Sequence, residues 1–411
     1  MLWIYRFSLF AYKLLIQIAS LFNEKASLWI SGRKNIWQKI SQFQVLAQHQ
    51  VLWMHVSSLG EFEQGRPLIE QIKKNYHNIQ IIITFFSPSG YEIRKNYTFA
   101  DAIFYLPLDS PKNAQRFYDI IKPNWVIFVK YDFWFFYIRE AYLRKIPIFL
   151  ISAVFKPNQI FFKFYGHFYR KMLRYFSQIY VQDDTSKLLL QKININSIVA
   201  GDTRCDRVLQ IAQSPLPLNN IRDFIKQRVV VIVGSAWDKD IKILKNIIEQ
   251  TQKNNVLWII APHVVNEEHI QDLIQIIDLP AIRYTQINDI NNNIKNGVLW
   301  IDTIGILSSL YQFATIAYIG GGFGKGIHNT LEPASFGVPV VFGPNYHKFN
   351  EAEDMIKLGA AFSISNADEA FQIINQLIQN ETFRSKASIK AQMYIQKSAG
   401  ATQKIIQQLF H

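Results

Sequence analysis

Gly320-Gly321-Gly322-Phe323-Gly324-Lys325-Gly326-Ile327-His328-Asn329-Thr330-Leu331-Glu332-Pro333 is the stretch on which the fold of this 411-residue chain turns. It follows an apolar run, Thr315 to Ile319, that reads as a buried strand, and it leads into Leu331 to Phe336, which can start a helix. Five glycines in seven residues are costly to order, so a strand-to-helix turn this rich in glycine needs a reason. The usual one is close approach of backbone N–H groups, here those of Gly321 and Gly322, to an anion at the positive end of the following helix. Glu332 then stands one turn in, where a carboxylate can accept hydrogen bonds from sugar hydroxyls. A turn that merely packs helix on strand would use the same glycines; His328, Asn329 and Glu332 beside them favour a ligand site.

Outward from this turn the pattern repeats. Short apolar runs at Val229–Val233, Val256–Ile260, Ile282–Tyr284, Val298–Ile301, Thr315–Ile319 and Pro339–Phe342 alternate with helix-like segments. An earlier series does the same at Val51–Val56, Ile79–Thr84, Trp125–Val129, Ile146–Ile151 and Ile179–Val181. Alternation of this kind predicts parallel sheets covered by helices. Pro215 and Pro217 mark a linker between the series. The expectation is α/β: two doubly wound Rossmann-like domains facing across a cleft, residues 46–212 and 213–411, with 1–45 as a separate basic segment. Ligands in such sheets bind at the carboxyl ends of the strands.

Several strand ends carry turn residues suited to that role. In the second series they are Gly234-Ser235-Ala236-Trp237, Ala261-Pro262-His263, Asp302-Thr303-Ile304-Gly305-Ile306 and the glycine stretch itself, together enough for a nucleotide-sized site. Neither a phosphate loop of ATPases nor the dinucleotide fingerprint of dehydrogenases is present. In the first series, Val51–Val56 ends in Ser57-Ser58-Leu59-Gly60-Glu61, where Ser58 and Gly60 leave amides free at a helix start. Glu61 there is either a helix cap or a general base. Lys130 and Asp132, two apart after Trp125–Val129, are expected to point the same way and pair. Arg204 is a candidate clamp for phosphate or carboxylate.

Composition narrows the function classes. Lys and Arg number 44 against 31 acids, a net charge of +13 that favours an acidic partner. One cysteine, Cys205, excludes a disulfide framework, and the nine histidines show no paired ligand spacing, so no metal is expected. Residues 1–22 are mostly apolar, with Arg6 and Lys13 two turns apart on one face, and residues 1–50 hold six basic residues against Glu24. That composition predicts a helix associated with the anionic, cytoplasmic side of a membrane. Residues Lys156 to Tyr175 mix five cations with aromatics and no acid, which suits a lipid headgroup surface or single-stranded nucleic acid.

Taken together, these residues resemble the 3-deoxy-D-manno-octulosonic acid (Kdo) transferases of lipopolysaccharide assembly, enzymes of the glycosyltransferase B fold. The resemblance runs through Ser58-Leu59-Gly60-Glu61, Phe86-Ser87-Pro88-Ser89-Gly90, Leu106-Pro107-Leu108-Asp109, Asp132-Phe133-Trp134, Gly234-Ser235, Asp302, His328 to Pro333 and Phe342-Gly343-Pro344. It implies transfer of Kdo from CMP-Kdo to a lipid A precursor (lipid IVA), with inversion and without a cofactor, at the cytoplasmic face of the bacterial inner membrane and with no nucleic acid partner. It implies that Glu61 is the catalytic base, with Lys130, Asp132 and Arg204 beside it. It places the cytidine nucleotide on Pro262, His263, Ile304, Gly305, Ile306, Asn329, Thr330, Leu331 and Glu332. The chain also departs from the family. Pro262-His263 stands where Pro-Arg-His is usual, Lys130-Tyr131-Asp132 replaces Glu-x-Glu, Asp202-Thr203-Arg204 replaces Asn-Leu-Lys, and Trp237 stands where the family has histidine. An enzyme of the same fold using a UDP-sugar and a lipid-linked acceptor is the alternative.

Overall fold

The structure, a computed structural model, describes residues 1–251, 254–288 and 297–410. The chain forms two compact units: Met1–Asp206 with Ala399–His411, and Arg207–Ser398. Each is built on a seven-stranded, wholly parallel sheet.

The first sheet comprises β1 (Gln50–Val56), β2 (Ile79–Phe85), β3 (Ala102–Tyr105), β4 (Trp125–Val129), β5 (Ile148–Ala153), β6 (Gln178–Val181) and β7 (Ile198–Val199), in the order β3-β2-β1-β4-β5-β6-β7. The second comprises β8 (Val229–Ala236), β9 (Val256–Pro262), β10 (Ala281–Arg283), β11 (Val298–Trp300), β12 (Ile316–Ile319), β13 (Val340–Phe342) and β14 (Ala361–Ser363), in the order β10-β11-β9-β8-β12-β13-β14. The strands run outward from a reversal between β1 and β4 in one unit and between β8 and β12 in the other. At such a switch point the following helices diverge to opposite faces and leave a crevice at the carboxyl ends. Glu61 follows β1, Lys130 and Asp132 follow β4, Gly234 and Ser235 end β8, and the glycine stretch follows β12.

Continuous apolar runs form these strands because helices cover both faces: β2 and β9 are buried at every position. Strands β3, β7 and β14, absent from the alternation read in sequence, are short pieces of two to four residues toward the sheet margins.

Two expected domain limits shift. The 1–45 segment belongs to the first unit. Arg33 stacks at 3.9 Å over the Trp29 ring and donates to the carbonyls of Trp29, Leu106 and Phe86. Tyr5 Oη donates to Asp109 at 2.6 Å, and Asp109, ending the Leu-Pro-Leu-Asp motif, also receives the amides of Phe136 and Tyr137 at the start of the Phe135–Leu143 helix. At the other end, the Ala401–Leu409 helix returns to the first unit rather than closing the second. Asp206 holds the amides of Gly400 and Thr402, while Ala401, Ile405 and Leu409 join the core with Leu52, Met54 and Ile69. The reason is hydrophobic: its apolar face packs beside the Leu59–Asn75 helix and is buried in the same core.

The basic-aromatic segment, Lys156 to Tyr175, is not a single helix. A tight turn at Ile160–Phe162 is followed by a helix only from His167 to Leu173. Gly166 lies against the Ile160 carbonyl, where a Cβ would stand 2.0 Å away, and Arg170 binds the carbonyls of Phe161 and Lys163 across the break.

Candidate active site

At the end of β1, Ser58 caps the Leu59–Asn75 helix, its Oγ accepting the Gly60 amide at 3.2 Å. The same hydroxyl donates to Glu61 Oε2. Ser58-x-x-Glu61 is thus a capping box in sequence, yet its carboxylate is held by the cap's side chain, so Ser58 does the capping and Glu61 is oriented by it. Gly90, from the Phe-Ser-Pro-Ser-Gly motif, packs so closely that a Cβ would lie 3.0 Å from the Ser58 carbonyl carbon.

Behind this pair is a buried polar chain. Trp134 Nε1–H donates to His55 Nε2 at 2.8 Å, so the His55 proton sits on Nδ1, 2.8 Å from Thr84 Oγ1, which also accepts from Trp53 Nε1. Complete burial pushes His55 down to about 3, so it stays neutral and is no general base. Asp132 accepts the Ser57 hydroxyl through Oδ1, while its Oδ2 is buried without a hydrogen-bond partner. Burial pushes its carboxyl up to about 8, opposed by the Ser57 hydrogen bond and reinforced by the charge of Glu61. The 4.0 Å approach of His55 Nε2 to Asp132 is therefore between neutral groups at neutral pH, and no ion pair.

The expected Lys130–Asp132 pair does not form. Lys130 takes a left-handed φ of 64°, which breaks strand alternation, so Asp132 turns into the core while Lys130 lies by the Tyr131 ring. Arg204 is likewise engaged: its guanidinium forks onto Asp202, at 2.6 Å for the closest atoms.

In the second unit, the glycines have a reason other than the expected anion. Cβ atoms would collide with backbone: 2.3 Å from the Ser235 carbonyl oxygen at Gly320, and 2.5 Å from the Gly343 nitrogen at Gly322. Gly321 has φ of 90°, and its amide is already taken by Asp240 Oδ2 at 2.9 Å. Asp240 also accepts from Tyr318 Oη and the Trp237 amide. An internal carboxylate thus takes the Gly321 amide of the expected cradle.

Asp240 belongs to the chain's Asp-x-Asp triplet, Asp238-Lys239-Asp240, which carries no metal expectation once seen in place. Asp240 faces inward, and Asp238 lies on the surface 3.8 Å from His269. Among the described residues, no three His, Cys, Asp or Glu side chains converge as metal ligands.

The opening lies one step further along the chain. A cavity of about 230 Å³ is lined by Ser235, Gly305, Leu307, Ser308, Tyr311, Ile319, His328, Asn329 and Glu332. Asn329 organises it: Oδ1 accepts the Leu331 amide at the helix start, and Nδ2 donates to Glu332 Oε1 at 3.0 Å. Gly234 is required because a Cβ would stand 2.0 Å from Tyr311 Oη, and Ser235 is left-handed at φ 54°. Gly305, at φ 96°, has nothing near its Cβ position, and Ile304 is 83% exposed. Pro262 ends β9 buried, and His263 stacks on His328 with centroids 4.4 Å apart. Thr330 and Leu331 are buried beneath the cavity rather than facing outward. Sequence reading passed over His55, Ser57, Asp240 and Tyr311. All but Tyr311 are strand-end or first-turn polar residues, and that position is the signal that could have found them.

Residues 34–207 match the family described as 3-Deoxy-D-manno-octulosonic-acid transferase (kdotransferase). The chain is 28% identical over 335 residues to the 3-deoxy-D-manno-octulosonic acid transferase of Aquifex aeolicus, spanning 80% of this chain and 86% of that one. It is 27% identical over 376 residues to the enzyme of that name from Haemophilus influenzae, spanning 87% and 86%. The chain is thus similar to Kdo transferases over most of its length. A UDP-GlcNAc 2-epimerase from Neisseria meningitidis, solved bound to UDP-GlcNAc, superposes with a TM-score of 0.62 at 19% identity over 88% of this chain and 99% of that one. That likeness concerns the fold alone, two Rossmann-like units of the glycosyltransferase B class.

Proposed function

We propose that this chain is a glycosyltransferase of the Kdo transferase family, moving Kdo from CMP-Kdo to a hydroxyl of a lipid A precursor with inversion at the anomeric carbon, Glu61 acting as general base. The reading is carried by one observation: Glu61 stands at the carboxyl end of β1, at the switch point, with Ser58 orienting its carboxylate. His55 stays neutral and Asp132 keeps its proton at neutral pH, which leaves Glu61 as the group suited to accept one there. In the second unit, the cavity bordered by Ser235, His328, Asn329 and Glu332 takes the CMP-sugar, with the carboxylate of Glu332 and the amide of Asn329 on hydroxyl groups.

Attack by the acceptor oxygen forms the new glycosidic bond as the bond from Kdo to the CMP phosphate breaks. Oxocarbenium character develops on the sugar and negative charge on the departing CMP. Fixed dipoles and cations matter most at that moment, and Lys130, directly after β4, and Arg204, in the first turn of the Thr203–Gln213 helix, are the candidate cations of the first unit. Glu61 takes the acceptor's proton, and no metal is needed in this scheme.

The Leu2–Ala19 helix keeps the enzyme on the inner membrane that holds its acceptor. It is 18 residues long and apolar, and Trp3, Phe7, Phe10, Leu15 and Ile18 are exposed on it. Phe164, 93% exposed on the basic-aromatic segment, adds to the same kind of surface.

The test is Glu61→Gln, assayed with CMP-Kdo and the tetra-acylated disaccharide precursor. Loss of a general base lowers the rate by about 10²–10⁴-fold. Activity within tenfold of the parent would remove Glu61 from that role.

A further inference from the structure

Beside the cavity of the second unit, three rings stack in series. Trp237 lies on His263 with centroids 4.4 Å apart and planes 26° from parallel, and His263 lies on His328 at 4.4 Å and 24°. The stack is closed by a hydrogen bond: Trp237 Nε1 approaches His328 Nε2 at 3.3 Å. An indole nitrogen only donates, so His328 Nε2 must accept, and the neutral ring carries its proton on Nδ1. We propose that Trp237 is a positioning residue of the donor site: its N–H fixes the tautomer of His328, and the ring stack holds that imidazole at the cavity wall with Nδ1–H as the donor available to an anionic ligand. The proposal rests on reading the cavity as the CMP-sugar site.

The backbone under the stack is rigid for separate reasons. The Trp237 amide donates to Asp240 Oδ2, and the same oxygen receives the Gly321 amide from the turn that carries His328. Asp240 thereby ties the two ends of the Trp237–His328 contact together. The His263 amide donates to the Ala236 carbonyl, fixing the middle ring.

The titratable groups around the stack are His269, whose ring is 6.3 Å from Trp237 and whose Nδ1 is 3.8 Å from Asp238; Asp240 below; and Tyr311 and Glu332 across the cavity. A second proton on His328 would set N–H against N–H at Trp237. Burial, with His263 beside it, pushes the imidazole down to about 4, in keeping with a ring held neutral. The family's usual histidine at position 237 can give or take this hydrogen bond. Tryptophan can only give it, so this chain fixes the state of His328 where the family leaves it open.

The experiment uses the full chain, ¹⁵N-labelled at histidine, with the ring-nitrogen shifts of His328 read before and after titration with CMP. The ligand-free parent is expected to show the Nδ1–H tautomer; an Nε2–H tautomer there overturns the proposal without any variant. Trp237→Phe keeps a ring to stack but removes the donor. It is expected to mix the tautomers and to raise the KM for CMP-Kdo roughly fivefold, with kcat nearly unchanged. A Trp237→Phe enzyme with the parental tautomer and KM overturns the proposal. If CMP leaves His328 unmoved in the parent, it is the reading of the cavity as the donor site that falls, and the ligand-free tautomer still reports on Trp237 by itself.

Discussion

Replacing Asp132 by asparagine isolates the consequence of burying an acid behind the catalytic strand ends. Asp132 is 6% exposed, and burial raises its carboxyl from 3.8 to about 8. Below the unfolded value both states are protonated and the group has no effect on stability. As pH rises from about 4, the unfolded chain releases its proton while the folded chain keeps it until about 8. The folded state thus binds more protons across this window, and stability is lost as pH rises through it. The slope approaches about 1.4 kcal/mol per pH unit, which sets an upper bound of several kcal/mol by pH 8 before relaxation of the site reduces it. Asparagine keeps an oxygen for the Ser57 hydroxyl but cannot ionise. Its amide can add a fixed penalty of about 1–3 kcal/mol for an unsatisfied donor, and that offset does not change with pH. Urea unfolding of parent and Asp132→Asn at matched pH values from about 5 to 9 therefore reads the ionisation as a change in the difference between them. The variant should gain on the parent by at least ~2 kcal/mol between about pH 5 and pH 8, then run parallel to it. Stability curves parallel throughout, within ~0.5 kcal/mol, would refute the claim that Asp132 is held protonated.

Two further outcomes follow from the same structure. Gly322→Ala places a Cβ 2.5 Å from the Gly343 nitrogen and should lower the melting temperature sharply, whereas Gly305→Ala meets no atom within 4 Å and should cost only the ~1–2 kcal/mol of a left-handed alanine; equal melting temperatures for the two variants would show that backbone crowding is not why Gly322 is a glycine. Serine at Trp3, Phe7 and Phe10, which are 76%, 59% and 66% exposed, should move the enzyme from membrane to soluble fractions with little change in melting temperature, and an unchanged distribution would count against the helix as anchor.

Local sequence determined a good deal here. Strand β4 matches its apolar run residue for residue, β1 and β2 match within a residue, and the helix at Leu331–Ser335 begins where Glu332 and Pro333 suggest it should. Apolar runs buried on both faces leave a period-independent signature, and helix starts are marked by small polar residues such as Ser58. The site was legible to the extent that it follows these strand ends, so Glu61, His328, Asn329 and Glu332 could be placed before any contact was known. Even the family resemblance is a matter of such short motifs in order.

What tertiary structure decided is what depends on residues far apart in the chain. The glycine turn is closed by Asp240, 81 positions away from Gly321, so its amide is not open to an anion. Asp132 turns to Ser57, 75 positions away, and abandons the neighbouring Lys130. The last helix crosses to the first unit because its apolar face completes a core begun at Leu52. Spacing along a strand or helix is set by backbone geometry and can be read directly. Which carboxylate fills which ring of donors is set by packing between distant elements, where burial decides whether a charge is kept, paired or neutralised.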